Sequence, residues 1–270
     1  MDKSEQSLIN YFYKLGIYPG QHLLVHAGFS RIKRTYSQIT PQKVNSILMD
    51  IVGSSGSIIY PTFSYCFKNT TGSQIAFDPD QTSAKTGVLS QTFWQQEEVI
   101  RTLSPTHSFG VWGQIAEDRK WFSSPDSPLG TESILAWMKT QYHAHVLFLN
   151  TDFKALSLGH YLEIISKLPW ANVFPWQHMG VEPVGVSLDR DQPLHEVPGC
   201  SQGFLSFQKV LEDNSTLNWV EKGEMKSVII PVFNLVEQGL AYFKSHSELL
   251  LCPMGKCQAC DERRIRCQLH

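Results

Sequence analysis

A histidine and a carboxylate three residues apart, His160 and Glu163, carry the chemistry most directly within reach of this chain. On a helix that spacing puts both side chains on one face. A carboxylate beside an imidazole selects one tautomer, and an imidazole with an ordinary pKa of ~6.5 accepts a proton near neutrality. Standing alone, such a pair is the usual solvated pair of a helix surface. Its surroundings point elsewhere: Val146-Leu147-Phe148-Leu149 reads as a buried strand, and Ser157-Leu158-Gly159 opens the helix that bears the pair. A strand leaving the core, a turn and a helix start would hold a proton acceptor at the end of a sheet.

The elements around it follow a strand, helix, strand order. A first helix over residues 4–15 gives way at Gly16 and Pro19-Gly20 to the strand His22-Leu23-Leu24-Val25-His26. Thr40-Pro41 then opens a helix with an N-cap hydroxyl and proline at the first turn, and Ser57-Ile58-Ile59-Tyr60-Pro61 is the next strand. Parallel units of this kind bind ligands off the carboxyl ends of their strands. Residues 69–85 form a long polar loop containing Phe77-Asp78-Pro79, and loops of that length are often functional. Alternation over residues 181–188 suits an antiparallel strand or hairpin, followed by a helix at 204–212, a strand at 226–232 and a last helix at 233–245. The class is α/β, a mixed central sheet flanked by helices.

Bulk properties exclude several functions. The chain has 270 residues, 42% hydrophobic and 18% charged, with a formal net charge of −2. That balance offers no broad basic field for nucleic acid or an anionic membrane. The N-terminal apolar residues fall at helical spacing, and no stretch approaches the ~20 apolar residues of a membrane span. A soluble, cytoplasmic protein is expected, with one catalytic domain over residues 1–250 and a cysteine-rich tail over 251–270. Gly53-Ser54-Ser55-Gly56 has neither the lysine of a phosphate-binding loop nor the spacing of a dinucleotide fingerprint.

What remains is a set of loops at strand ends that could converge on one pocket. In order and spacing they resemble the aminoglycoside 3-N-acetyltransferase family over residues 5–250. The resemblance rests on Val25-His26-Ala27-Gly28-Phe29-Ser30, Gly56-Ser57-Ile58-Ile59-Tyr60-Pro61-Thr62-Phe63-Ser64, Phe77-Asp78-Pro79, Arg101-Thr102 before His107-Ser108, and Ser157-x-x-His160-x-x-Glu163. It implies acyl transfer from acyl-coenzyme A to a primary amine of a sugar without metal. It further implies that His160 is the base and Glu163 its orienting carboxylate, while Ser157 or a nearby backbone N–H at the helix start would be placed to donate to the oxyanion. By the same resemblance His26, Ala27, Gly28, Phe29, Ser30 and Arg31 hold coenzyme A, with His107 and Ser108 lining the cofactor. Tyr65, Asp78 and Trp170 are the implied substrate contacts. The chain departs from the family with Ser104 before Pro105 where histidine is usual, serine for threonine at Ser157, and Asn150 where a glycine follows the strand. Few carboxylates lie in the candidate loops, which favours a nucleotide-linked amino sugar over a polycationic aminoglycoside as acceptor. Aminoglycosides are the alternative, and a homodimer is one option for the assembly.

Cysteines raise two further expectations. Cys66 could accept the acyl group first, assisted by His107, in a two-step route. Cys252, Cys257, Cys260 and Cys267 supply four thiolates for a structural zinc, against a reduced or frayed tail. With arginines interleaved, the tail also admits a non-catalytic reading as a partner-binding module.

Overall fold

Three short apolar runs are buried along their whole length, so both of their faces must be covered. The computed structural model, which describes residues 2–118, 124–195 and 197–269, puts them at the centre of a sheet. Its strands in chain order are β1 (His22–Ala27), β2 (Ser57–Pro61), β3 (Phe67–Asn69), β4 (Ile100–Arg101), β5 (Phe109–Gly113), β6 (Ala144–Leu149), β7 (Val181–Val186), β8 (Asp191–Pro193), β9 (Val220–Lys222) and β10 (Met225–Pro231). The main sheet has seven strands in the order β4-β5-β2-β1-β6-β10-β9, and β3-β7-β8 form a smaller sheet. β1 is parallel to both β2 and β6, while β5 and β10 run antiparallel to the outer sides of that trio. The expected mixed sheet is therefore present.

The helices are α1 (Lys3–Leu15), α2 (Phe29–Thr35), α3 (Pro41–Val52), α4 (Val88–Trp94), α5 (Ile134–Thr140), α6 (Ser157–Ile165), α7 (Phe204–Asp213), α8 (Val232–Ser245) and α9 (Gln258–Cys267). Strand alternation divides the core between the two faces. Leu23, Val25, Ile58, Tyr60, Leu147 and Leu149 meet apolar residues of α1, α3 and α4 on one face. Leu24, Ile59, Val146 and Phe148 meet α5, α6, α7 and α8 on the other. Among the described residues, no helix is long and apolar enough to cross a membrane.

Thr40 caps α3 as the sequence predicts, its Oγ1 accepting from the Lys43 amide at 3.2 Å. Two helices stand where the sequence suggests a loop and a knuckle or frayed end. α2 starts directly after Gly28 with no side-chain cap, so the Ala27-Gly28 segment is a strand end turning into a helix. α9 fills half of the cysteine-rich tail, and its Cys260 belongs to the same buried cluster as α6.

α6 is unlike the other helices in that every residue from Ser157 to Glu163 is buried. Gly159 is what lets it approach α7: a Cβ there would lie 2.5 Å from the Phe204 ring. Gly159→Ala should lower the free energy of unfolding by about 1–3 kcal/mol through overpacking. Urea denaturation would show this as a reduced midpoint at constant m, and an unchanged midpoint would mean that the Phe204 ring can yield.

Candidate active site

The carboxyl ends of β1, β2 and β6 lie side by side, with Ala27 in register with Leu149. A cavity of about 740 Å³ opens there, walled by His26, Ala27, Tyr65, His107, Ser157 and His160 among others. A second cavity of about 520 Å³ shares Thr151, Lys154 and Ala155 with it and is flanked by Arg31 and Lys226. The site therefore sits where open α/β sheets place ligands.

At its base His160 Nδ1 is 2.7 Å from Glu163 Oε2. The Glu163 side chain is held from two more directions. Trp170 Nε1 donates to Oε1 at 3.0 Å, and Arg263 Nη1 from α9 stands 3.4 Å from the same oxygen. Burial by itself would raise the Glu163 pKa; Arg263, the His160 contact and the Trp170 bond outweigh it and hold the carboxyl below its ordinary value. An ionised Glu163 accepts the Nδ1 proton of His160, which leaves Nε2 with the free lone pair. Phe204 packs edge-on to the imidazole with centroids 4.9 Å apart, which restricts ring rotation.

Two further histidines border the cavity. His26 Nε2 lies 3.5 Å from Ser157 Oγ, and His107 Nδ1 pairs with Thr106 Oγ1 at 2.9 Å. Burial lowers the pKa of each to about 3, with the neighbouring His160 adding to the effect at His107. Both are neutral across the physiological range. His107 is ringed by Phe63, Tyr65 and Phe67 at centroid distances of 4.8, 5.5 and 6.0 Å, an aromatic collar on one side of the cavity.

Several expected contacts are placed differently. Ser108 is fully buried behind the wall, donating to the Thr62 carbonyl at 2.8 Å and accepting from Arg101 Nε at 3.0 Å. Asp78 forms a turn, its Oδ1 accepting from the Asp80 amide at 2.8 Å, and lines neither of the two cavities. Arg101 explains the Phe77-Asp78-Pro79 segment as a clamp on the long loop. Its guanidinium sits over Phe77 and Trp94 at 4.9 and 4.7 Å and donates to the carbonyls of Thr62 and Thr82. Trp170 is buried and serves Glu163 rather than a ligand; Trp176, from the same segment, faces the cavity instead. Phe29 packs on the core face of β1, Ser30 is exposed, and Arg31 faces the second cavity. Cys66 is buried off the cavity wall, and burial pushes its thiol up, which works against the two-step route. Arg263, Phe204 and Lys154 carry no local motif that would mark them in the sequence as site residues.

The cysteine set also changes. Cys200, Cys252, Cys257 and Cys260 bring their sulfurs within 4.8 Å of one another. Cys267 instead points its Sγ at the Pro169 carbonyl, 3.4 Å away. Seven residues along α9 from Cys260 amount to about 10 Å of rise, which takes Cys267 out of reach. Cys200, isolated in sequence, takes its place.

The profile of the aminoglycoside 3-N-acetyltransferase family matches residues 24–244, and the chain belongs to that family. Aminoglycoside N(3)-acetyltransferase IV of Salmonella sp is 29% identical over 166 residues, 60% of this chain. The match spans 59% of that relative's length. Among solved structures, the apoenzyme of aminoglycoside acetyltransferase AAC(3)-IVa superimposes with a TM-score of 0.77 at 22% identity, covering 97% of this chain and 96% of the other. A mutant of that enzyme, solved in complex with a gentamicin, gives a TM-score of 0.76 at 22% identity, with the same 97% and 96% coverage. AAC-IIIb in a binary complex with CoASH gives 0.67 at 20% identity, covering 89% of this chain and 96% of that one. At these identities the structural matches establish the shared fold.

The buried neutral histidines predict a specific acid sensitivity. His26 and His107 have folded pKa values of about 3 against ~6.5 when unfolded, so between those values the unfolded chain binds more protons. Stability is fully present above ~6.5 and falls as the pH drops through this window, by about 1.4 kcal/mol per pH unit for each histidine. Urea unfolding from neutral pH downward should show the slope, and His107→Gln should reduce it by about one proton. A flat profile over that interval would contradict the neutral assignment.

Proposed function

We propose that this chain transfers an acetyl group from acetyl-coenzyme A to a primary amine of an aminoglycoside, with His160 as general base. The observation that carries the reading is the His160–Glu163 pair at the wall of a cavity that Ser157 also lines. An alkyl amine is largely protonated at neutral pH, and only its free base attacks a thioester. In the proposed sequence His160 Nε2 takes the amine proton as the nitrogen bonds to the thioester carbonyl carbon. The Ser157 hydroxyl, at the first position of α6, donates to the oxyanion. Collapse breaks the carbon–sulfur bond, and the proton on His160 passes to the leaving thiolate, giving the amide and free coenzyme A. Throughout, Glu163 holds the imidazole in one tautomer and stabilises its cationic form.

Coenzyme A as co-substrate fits the charge of the second cavity. Arg31, Lys154 and Lys226 line it together with Asp152 and Glu212, three cations against two carboxylates and so an excess of one positive charge. Its cations suit the phosphates, leaving pantetheine to run past Thr151 and Ala155 toward His160. Family membership and the CoASH complex of a relative sharing the fold support the same co-substrate.

The acceptor is assigned to aminoglycosides on the family and on the gentamicin complex of a relative. One observation favours a second reading, a less cationic acceptor such as a nucleotide-linked amino sugar. Among the described residues, those lining the main cavity include Lys85 and Lys154 and no aspartate or glutamate. A polycation gains nothing from such a wall.

Acetyl-coenzyme A turnover against both acceptor classes tests the assignment. Aminoglycosides should be acetylated, and His160→Ala should lower kcat by roughly two to four orders of magnitude while coenzyme A binding persists. Turnover confined to nucleotide-linked amino sugars would transfer the assignment to the second reading. A fully active His160→Ala variant, or no thermal shift with coenzyme A, would overturn the mechanism.

A further inference from the structure

We propose that Cys200, Cys252, Cys257 and Cys260 bind a structural zinc ion, and that this ion fastens α9 so that Arg263 stays against Glu163. The ion itself is inferred without reference to catalysis; only the importance of Arg263 rests on the function proposed above.

Four sulfurs all within 4.8 Å of one another match a tetrahedral tetrathiolate site, whose ~2.3 Å zinc–sulfur bonds set sulfur–sulfur edges of about 3.8 Å. The Cys200–Cys252 edge is already 3.7 Å. The ligands converge from distant parts of the chain: Cys200 before α7, Cys252 after α8, Cys257 at the N-cap of α9 and Cys260 in its first turn. All are free thiols, and a disulfide would account for two of them while leaving the other two against it. The amino end of α9 faces the cluster, and its dipole favours the net negative charge of a zinc tetrathiolate. Arg264 donates to the carbonyls of Leu251 and Cys252, bracing the strand of chain that carries one ligand.

α9 needs such a tie. It is ten residues long and strongly polar, and Ala259, Cys260 and Arg263 are its buried residues. A helix of that length is marginal without tertiary support. One of those three is an arginine whose burial requires neighbours held in place. Arg263 donates to the carbonyls of Val197 and Val173 at 3.1 and 3.4 Å as well as facing Glu163. Gly199, adjacent to Cys200, passes so close that a Cβ would lie 2.3 Å from Arg263 Nη1. The metal would thus join the 199–200 segment to α9 on either side of the guanidinium.

Protein purified under reducing conditions without added metal should contain about one zinc per chain by elemental analysis, as a tetrathiolate site requires. Cys200→Ser should abolish it, and Cys267→Ser should leave it intact. Cys257→His, which keeps four ligands, should retain the metal and alter the spectrum of the cobalt(II) form, so the outcome does not depend on one variant folding. Chelation should raise amide exchange in α9 and at the carboxyl end of α6, measured without any substrate. Absence of stoichiometric metal, iron in place of zinc, a Cys200–Cys252 disulfide after reducing purification, or zinc lost from Cys267→Ser and kept by Cys200→Ser would overturn the site. Zinc present with unchanged exchange at α6 on chelation would overturn the link to Arg263. Failure of acetyl transfer would alter none of these readings.

Discussion

A negative charge with 2% of its surface exposed is the constraint around which this molecule is arranged. Glu163 is taken out of water and must be met by donors, since an uncompensated buried charge costs several kcal/mol. It is met by three, and each comes from a different part of the chain: His160 from one turn earlier, Trp170 from the segment after α6, and Arg263 a hundred residues later. The carboxylate in turn fixes what each of them can do. His160 is confined to one tautomer, Trp170 is drawn into the core, and Arg263 requires α9 to lie against α6. Removing one partner from such a set typically costs about 3–5 kcal/mol, because the others are left facing a charge they cannot neutralise. Stability and chemistry are therefore not separable at this residue.

The sheet supplies the second half of the arrangement. Parallel strands end together, and β1, β2 and β6 end on the same side of the molecule. Helices follow two of those ends, α2 one residue after Ala27 and α6 after a seven-residue connection from Leu149 that holds a 3-10 turn. Helix amino ends, neutral histidines and the His160–Glu163 pair are thus collected in one place by topology. The aromatic collar around His107 and the clamp of Arg101 on the 69–85 loop then close the side that the sheet leaves open.

Much of this was legible from local sequence, because its causes are local. Buried strands read as apolar runs, Thr40-Pro41 marks a helix start by capping chemistry, and His160 with Glu163 shares a helix face by spacing. α2 was not legible: glycine caps it, no side chain signals its start, and its one buried residue, Ile32, makes no apolar stripe. α9 was hidden for a related reason: its sequence holds helix formers and an i,i+4 Glu262–Arg266 pair but no apolar stripe to mark it. The partners of Glu163 and the fourth cysteine of the cluster are long-range contacts, and no local pattern encodes them. Asp78 and Trp170 misled in the opposite sense. A carboxylate in a loop and an aromatic near the helix of His160 look like ligand contacts, yet one builds a turn and the other a hydrogen bond in the core.

The departures from the family pattern are physically mild when read in place. Asn150 has a backbone φ of 60°, the left-handed region where a glycine is most at ease and where asparagine is among the best-tolerated side chains. The side chain also gains contacts that glycine lacks, accepting from the Lys226 amide at 2.9 Å and reaching the Gly28 carbonyl at 3.4 Å. It thereby ties β10 and the start of α2 to the end of β6, at the edge of the second cavity. Ser104 accepts from the His107 amide at 3.1 Å, so the turn before that histidine retains an internal partner. Ser157 keeps the hydroxyl at the cavity and gives up only the methyl of a threonine. The wall of the main cavity carries Lys85 and Lys154 and, among the described residues, no aspartate or glutamate, which sets the field that any entering ligand meets.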